Sequence, residues 1–176
     1  MFWKLFGRKK KNVREVLKVA ICPDNSVLAY VSGKVIPIEQ CGEKMFAQKT
    51  LGDGVVILPN DGKIIAPFDC EVVMAFATGH AFGLRSKNGV ECMLHLGIDT
   101  VHLAEPVFKP QAFEGDRVVA GTVLAYADLE AIRRSGKNTA MLCMLTNGDK
   151  WKITDKAVDG NVNAGQSVVL SFEKLI

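Results

Sequence analysis

Two of the chain's three histidines, His80 and His95, flank an Asn-Gly pair in the stretch TGHAFGLRSKNGVECMLHLGIDT (Thr78–Thr100). Imidazole is the one side chain whose charge changes near neutral pH. A pair of them can serve as nucleophile and electrostatic partner, or as two metal ligands. Two ligands alone leave a catalytic zinc site one short of its usual three. Spacing by itself leaves both chemistries open.

Asn-Gly between alternating apolar residues is a strong hairpin signal, because a type I′ turn needs positive φ at both central positions. With Asn88 and Gly89 as a two-residue loop, Leu84 is predicted opposite Met93, Phe82 opposite His95, and His80 opposite Gly97. Side chains alternate along a strand, so Phe82, His80, Met93 and His95 are expected on one face. Cys92, Leu94 and Leu96 are then expected on the other, as core. His80 and His95 become diagonal neighbours whose rings converge.

The elements that would position this pair are strands. Short apolar runs such as VLAYVSGKVIPIE, GDGVVILPNDGKIIAP, CEVVMAFATG and DRVVAGTVLAYAD are rich in Val and Ile and end in Gly, Pro, Asn or Asp. Many such runs at close spacing predict an all-β, antiparallel β-sandwich or barrel-sandwich with one or two short helices. The clearest helix is DLEAIRRSG, with Asp128 as its cap, Glu130 in its first turn and Gly136 just past its end. EGDRVVAGTVL and DGNVNAGQSVV both fit V-x-x-G-x-x-[VL], through Val118, Gly121 and Leu124, then Val162, Gly165 and Val168. Each reads as strand, glycine-enabled turn and strand, so the domain is expected to combine pseudo-repeated halves.

Composition bounds the rest. The 176 residues are 48% hydrophobic and 23% charged, as a folded domain requires. Five cysteines, Cys22, Cys41, Cys70, Cys92 and Cys143, are odd in number and lack CxxC spacing, which argues against a disulfide framework. Residues 1–14 carry six basic side chains and no acid; against the chain's net +3, this leaves −3 for the other 162 residues. A nucleic-acid binder would not confine its positive charge to one end. The division is therefore 1–15, a basic tail tipped by Phe2, Trp3, Leu5 and Phe6, and 16–176, the folded domain. The tail suits an anionic membrane surface, or a solvated terminus. With no apolar run near the roughly 20 residues that span a bilayer, and no signal-peptide pattern, the expected location is the cytoplasm. There the tail could reach the inner face of the cell membrane.

At GHAFGL (Gly79–Leu84), LHLGIDTV (Leu94–Val101) and LGDGVVILP (Leu51–Pro59) the chain resembles the glucose-type enzyme IIA family of the bacterial phosphoenolpyruvate-dependent sugar phosphotransferase system. Ala66–Pro67, EGDRVVAG (Glu114–Gly121) and DGNVNAGQSVV (Asp159–Val169) extend the likeness over nearly everything after Val16. The resemblance implies a phosphocarrier supporting sugar uptake. It would accept a phosphoryl group from the phosphohistidine of HPr on His95 and pass it to a cysteine of an enzyme IIB domain. His80 matches the second active-site histidine and would steady the phosphoryl oxygens; Thr78 matches the threonine that could orient His80. Phe46, Leu51, Phe76 and Met93 match an apolar collar for partners, with Met93 in place of a commoner aromatic, and Asp99 matches an acid beside the site. Cys70 stands where glycine is usual, and His102 where an acid is common. The resemblance implies no required cofactor, although a partner's carboxylate could join His80 and His95 around zinc. It also implies partner proteins that respond to the phosphorylation state.

Two other classes share part of the pattern. His95 and Asp99 fit the H-x-x-x-D of zinc hydrolases of related β architecture, but the H-x-H pair of that class is missing. TDKA around Lys156 has the look of a lipoyl- or biotinyl-carrier site, but in such modules the lysine follows the first V-x-x-G, where this chain has YADLEAI.

Overall fold

The computed structural model describes residues 13–176; the tail expected at 1–15 lies outside it except for Val13, Arg14 and Glu15. Fourteen short strands follow one another: β1 Ser26–Leu28, β2 Gly33–Pro37, β3 Gly54–Pro59, β4 Lys63–Ile65, β5 Cys70–Ala75, β6 Ala81–Ser86 and β7 Glu91–Ile98, then β8 Phe108–Pro110, β9 Arg117–Val118, β10 Val123–Ala127, β11 Asn138–Leu145, β12 Trp151–Lys156, β13 Asn161–Val162 and β14 Val168–Lys174. Helix α1, Lys44–Ala47, precedes β3, and α2, Leu129–Arg134, precedes β11. The strands form one eight-stranded sheet, ordered β13-β2-β3-β11-β7-β6-β5-β9, and two three-stranded sheets, β1-β14-β12 and β4-β10-β8. Every ladder is antiparallel. This is the all-β architecture that the runs of Val and Ile predict.

The large sheet is apolar on both faces, and this places the site. Phe82, Leu84, Cys92, Leu94, Leu96, Met141 and Cys143 turn into the main core. On the opposite face Val56, Ile98, Ala140, Leu142 and Met144 form a second, smaller cluster under Ile38, Cys41 and Phe46, with Met93 packed against it. Alternation along β7 therefore sends Met93 and His95 to the lesser face and their neighbours to the greater one. The second cluster is a floor on which His95 stands.

The hairpin that carries the histidines differs by one residue from its expected register. Observed partners are Ala81 with His95, Phe82 with Leu94, Gly83 with Met93 and Leu84 with Cys92. The loop has three residues, not two: Gly89 N–H donates to Ser86 O at 3.0 Å and Ser86 N–H to Val90 O at 2.9 Å. Only Gly89, at φ +91°, needs the left-handed region, and Asn88 does not share it. That is the turn-plus-bulge alternative to a type I′ loop. A one-residue slip exchanges faces, so Phe82 and Leu84 are fully buried in the main core. Small residues, Ala81 and Gly83, replace them beside the histidine.

The helix reading holds in detail. Asp128 accepts from the Ala131 N–H at 2.9 Å, Arg133 and Arg134 sit in the last turn, and Gly136 follows at φ +74°. Capping and charge placement of this kind stabilise a six-residue helix that could not form alone. All five cysteines are free thiols, four of them buried.

The two V-x-x-G units are the turns β9–β10 and β13–β14, with Gly121 at φ +88° and Gly165 at φ +73°. Their N–H groups donate to equivalent partners, Gly121 to Ala66 O at 2.8 Å and Gly165 to Ala29 O at 2.7 Å. Residues 16–20 run between them, with Leu17 N–H on Gly121 O (2.9 Å) and Ala20 N–H on Gly165 O (2.7 Å). Arg14 pairs with Asp116, and Glu15 with Lys63 at 2.7 Å. The chain entering the domain thus stitches its two halves together.

Candidate functional site

His80 and His95 come together despite the changed register. Their ring centroids are 5.4 Å apart and the rings meet edge to face. Strict alternation from Ala81 would turn His80 away from His95. His80, however, precedes β6 in a bend after Gly79, which adopts φ +74°. The left-handed glycine reverses the chain and frees His80 from the pleat. Its carbonyl still receives the Leu96 N–H at 2.7 Å, so the backbones of the two segments remain joined.

Each imidazole has one nitrogen committed. His95 Nδ1 lies 2.8 Å from Gly97 O. A carbonyl can only accept, so Nδ1 carries the proton and the lone pair of the neutral ring is on Nε2. Gly97 itself is at φ +71°, which curls its carbonyl back towards a side chain two residues earlier. His80 Nδ1 lies 2.5 Å from Thr78 Oγ1.

Burial disfavours the charged form of both rings. Burial pushes the His80 pKa below its ordinary value. Burial does the same to His95, and the neighbouring His80 adds to it; the bond to Gly97 O and the Glu43 charge act in the opposite sense. His80 is only 7% exposed, while His95 is half-buried.

Around them the aromatic residues take different roles. Phe46, 5% exposed, lies 4.9 Å from His95 between ring centroids, and belongs to the floor cluster. Phe76 stands 4.8 Å from His80 and remains 45% exposed. Leu51 is 40% exposed, and Met93 is half-buried against the floor. Asp99 is exposed at φ +63° and ion-pairs with Lys137 at 3.1 Å. Phe82, expected beside the histidines, is not at the site. Among the described residues no group of three or more His, Cys, Asp or Glu is placed to hold a metal ion. Lys156 is tied to Asp53 at 2.9 Å.

The sequence profile of the phosphoenolpyruvate-dependent sugar phosphotransferase system, EIIA 1, matches residues 25–151. The chain belongs to that family. It is 33% identical over 173 residues to the PTS system glucose-specific EIIA component of Halalkalibacterium halodurans, covering 98% of each chain. The glucose-specific EIIA component of Haemophilus influenzae is 36% identical over 174 residues, covering 99% of each. A glucose-specific EIICBA component of Streptococcus pneumoniae matches at 38% over 142 residues, 81% of this chain but 20% of that longer protein. Among solved structures, glucose permease IIA from Mycoplasma capricolum superposes with TM-score 0.74 at 33% identity, covering 82% of this chain and 93% of that one.

This IIA domain is thus a phosphocarrier component of the sugar phosphotransferase system. Among its described residues no helix is long and apolar enough to cross a membrane. Two features of the IIA site were not read from the sequence. Ala81 and Gly83, both buried, stand opposite His95 and Met93, with the Met74 side chain over Gly83, and only the true register pairs them so. Lys137, the partner of Asp99, comes from the loop before β11, 38 residues away, and no local pattern announces it.

Proposed function

We propose that His95 carries the phosphoryl group and that His80 stabilises it in transit. One observation carries the reading: a neutral imidazole with Nδ1 locked to a backbone carbonyl, its Nε2 free, beside a second imidazole at 5.4 Å. In the forward step the Nε2 lone pair of His95 attacks the phosphorus of phosphohistidine on HPr. The new N–P bond forms as the donor's N–P bond breaks, and the donor imidazole leaves with the electron pair. In the second step a cysteine thiolate of an enzyme IIB domain attacks the same phosphorus, and the His95 N–P bond breaks. Such transfers ask the protein chiefly for position and for charge on the equatorial oxygens.

His80 meets the second need. With Thr78 donating its hydroxyl proton to Nδ1, the His80 proton resides on Nε2 and can be donated to a phosphoryl oxygen, a charge-assisted bond. Met93, Leu51 and Phe76 would offer partners an apolar surface, with the buried Phe46 as its floor rather than as part of the collar, and Asp99 a charge at its rim. The relatives named EIICBA, in which the matching region is part of a longer chain, support enzyme IIB as the acceptor. Zinc could bind the same pair only with a carboxylate lent by a partner, because two imidazoles supply too few ligands.

The test is incubation with phosphoenolpyruvate, enzyme I and HPr. The expected product is an acid-labile, base-stable phosphoprotein. His95→Ala abolishes labelling; His80→Gln accepts phosphate yet passes it to IIB at least roughly a hundredfold more slowly. Label that survives the loss of His95 would overturn the assignment.

A further inference from the structure

We infer that Thr100 is a positioning residue of the transfer reaction: its hydroxyl clamps the Leu96 carbonyl and so holds the Gly97 carbonyl against His95 Nδ1. The inference rests on the assignment of His95 as nucleophile.

Thr100 is 5% exposed, one of few buried polar residues. Its Oγ1 donates to Leu96 O at 3.1 Å, four residues back. The other end of the Leu96 residue is also held, since its N–H donates to His80 O. Leu96 is therefore fixed between the His80 segment on one side and Thr100 on the other. The Leu96 carbonyl belongs to the peptide plane that enters Gly97. Fixing that plane limits the rotation about Gly97 and, through it, where the Gly97 carbonyl points. Without the clamp, a glycine one residue from the end of β7 has more conformational freedom than any other residue type.

The threonine methyl packs at the same point, while the hydroxyl does the clamping. A Cβ on Gly97 would lie 2.6 Å from Thr100 Cγ2 and 3.2 Å from Asn138 O. The methyl thus closes over the glycine on one side while the β11 backbone closes it on the other. Opposite this point the β7–β11 ladder shifts register between Asn138 and Met141, an irregularity of the kind that re-aims groups beside functional sites. Asn138 pins it: its amide donates to Cys41 O at 3.1 Å and its Oδ1 accepts from Ala140 N–H at 2.8 Å. The clamp and the bulge converge on one carbonyl, the group that decides which His95 nitrogen is nucleophilic. Outer partners that fix an imidazole tautomer have large effects without touching the reacting atoms.

Two substitutions separate the hydroxyl from the shape. Thr100→Val keeps the volume and removes the donor; Thr100→Ser keeps the donor and removes the methyl. The readouts are the tautomer of His95, from nitrogen-15 shifts of its imidazole, and the rate of phosphate acceptance from phospho-HPr. Thr100→Val is expected to lose the Nδ1–H preference and to accept phosphate roughly tenfold more slowly. Thr100→Ser is expected to keep both the tautomer and a rate within about twofold of the parent. A valine variant with unchanged tautomer and rate overturns the proposal, as does a serine variant that loses both. Should the valine variant not fold, the serine variant decides by the same criterion. Labelling of the unaltered protein tests the carrier reading separately, because the tautomer is read without any phosphoryl donor.

Discussion

Neutrality of the two imidazoles is the chemical requirement at the residue scale, because a protonated Nε2 has no lone pair. Burial depresses both pKa values below the ordinary value, so each ring is neutral at pH 7. Acceptance of phosphate by His95 should stay flat as pH falls through the usual histidine range near 6.5. It should decline only at lower pH, measured as initial labelling rates at fixed phospho-HPr. Linkage gives the same shifts a second consequence. Between the unfolded pKa, about 6.5, and the lower folded values, the unfolded chain binds protons that the native state refuses. Stability is therefore full above about 6.5 and is lost as pH falls through the folded pKa values. In His80→Gln that component vanishes, so the drop in thermal midpoint between about pH 7 and about pH 5 should be smaller than in the parent. An equal drop in both proteins would show that the neutral ring of His80 is not stabilised by its burial.

At the scale of elements, the hairpin β6–β7 and the turn Gly97–Thr100 do the positioning. Gly89 closes the hairpin at φ +91°, and an added Cβ there meets nothing within 4 Å. Gly89→Ala should therefore cost only the conformational penalty, about 1–2 kcal/mol, with the histidine pair undisturbed and labelling retained. Urea unfolding measures the first and the phosphorylation assay the second. Asp128→Ala removes the N-terminal side-chain cap of α2 and should cost about 1 kcal/mol. Its hydroxyl-bearing replacement, Asp128→Ser, should recover most of that loss. Neither change alters the floor cluster under His95, so activity per folded molecule should hold.

For the whole molecule the decisive contacts are long in sequence. Residues 16–20 lie between the Gly121 and Gly165 turns, more than 100 residues downstream, and their backbone bonds close the two halves on each other. A Cβ at Gly121 would sit 2.3 Å from Leu17 O, at φ +88°. Gly121→Ala should thus cost clearly more than Gly89→Ala, since collision adds to conformation. Hydrogen exchange at the Leu17 amide should accelerate while amides in β7 and β11 stay protected. Equal costs for the two glycines, with Leu17 still protected, would show that the stitched segment bears no load.

Much of this was legible in the linear sequence. The strand content, the Asp128 cap, the two glycine turns and the inward set Cys92, Leu94 and Leu96 follow from local rules: alternation, left-handed glycines, caps. The motifs around His80 and His95 named the family, since chemistry on a strand end needs particular residue types in order. Register was not legible. Asn-Gly is compatible with a two- or a three-residue loop, and a shift of one residue decides whether Phe82 or Ala81 faces His95. Nor could pattern reveal that the large sheet is apolar on both faces, because the second cluster draws Ile38, Cys41 and Phe46 from a remote stretch. The sequence by itself determined the strand content and the family, and with them which two imidazoles are proposed to handle the phosphoryl group. Only the folded chain decided their distance, their tautomer and their neutrality, because each of these depends on neighbours that sequence order keeps apart.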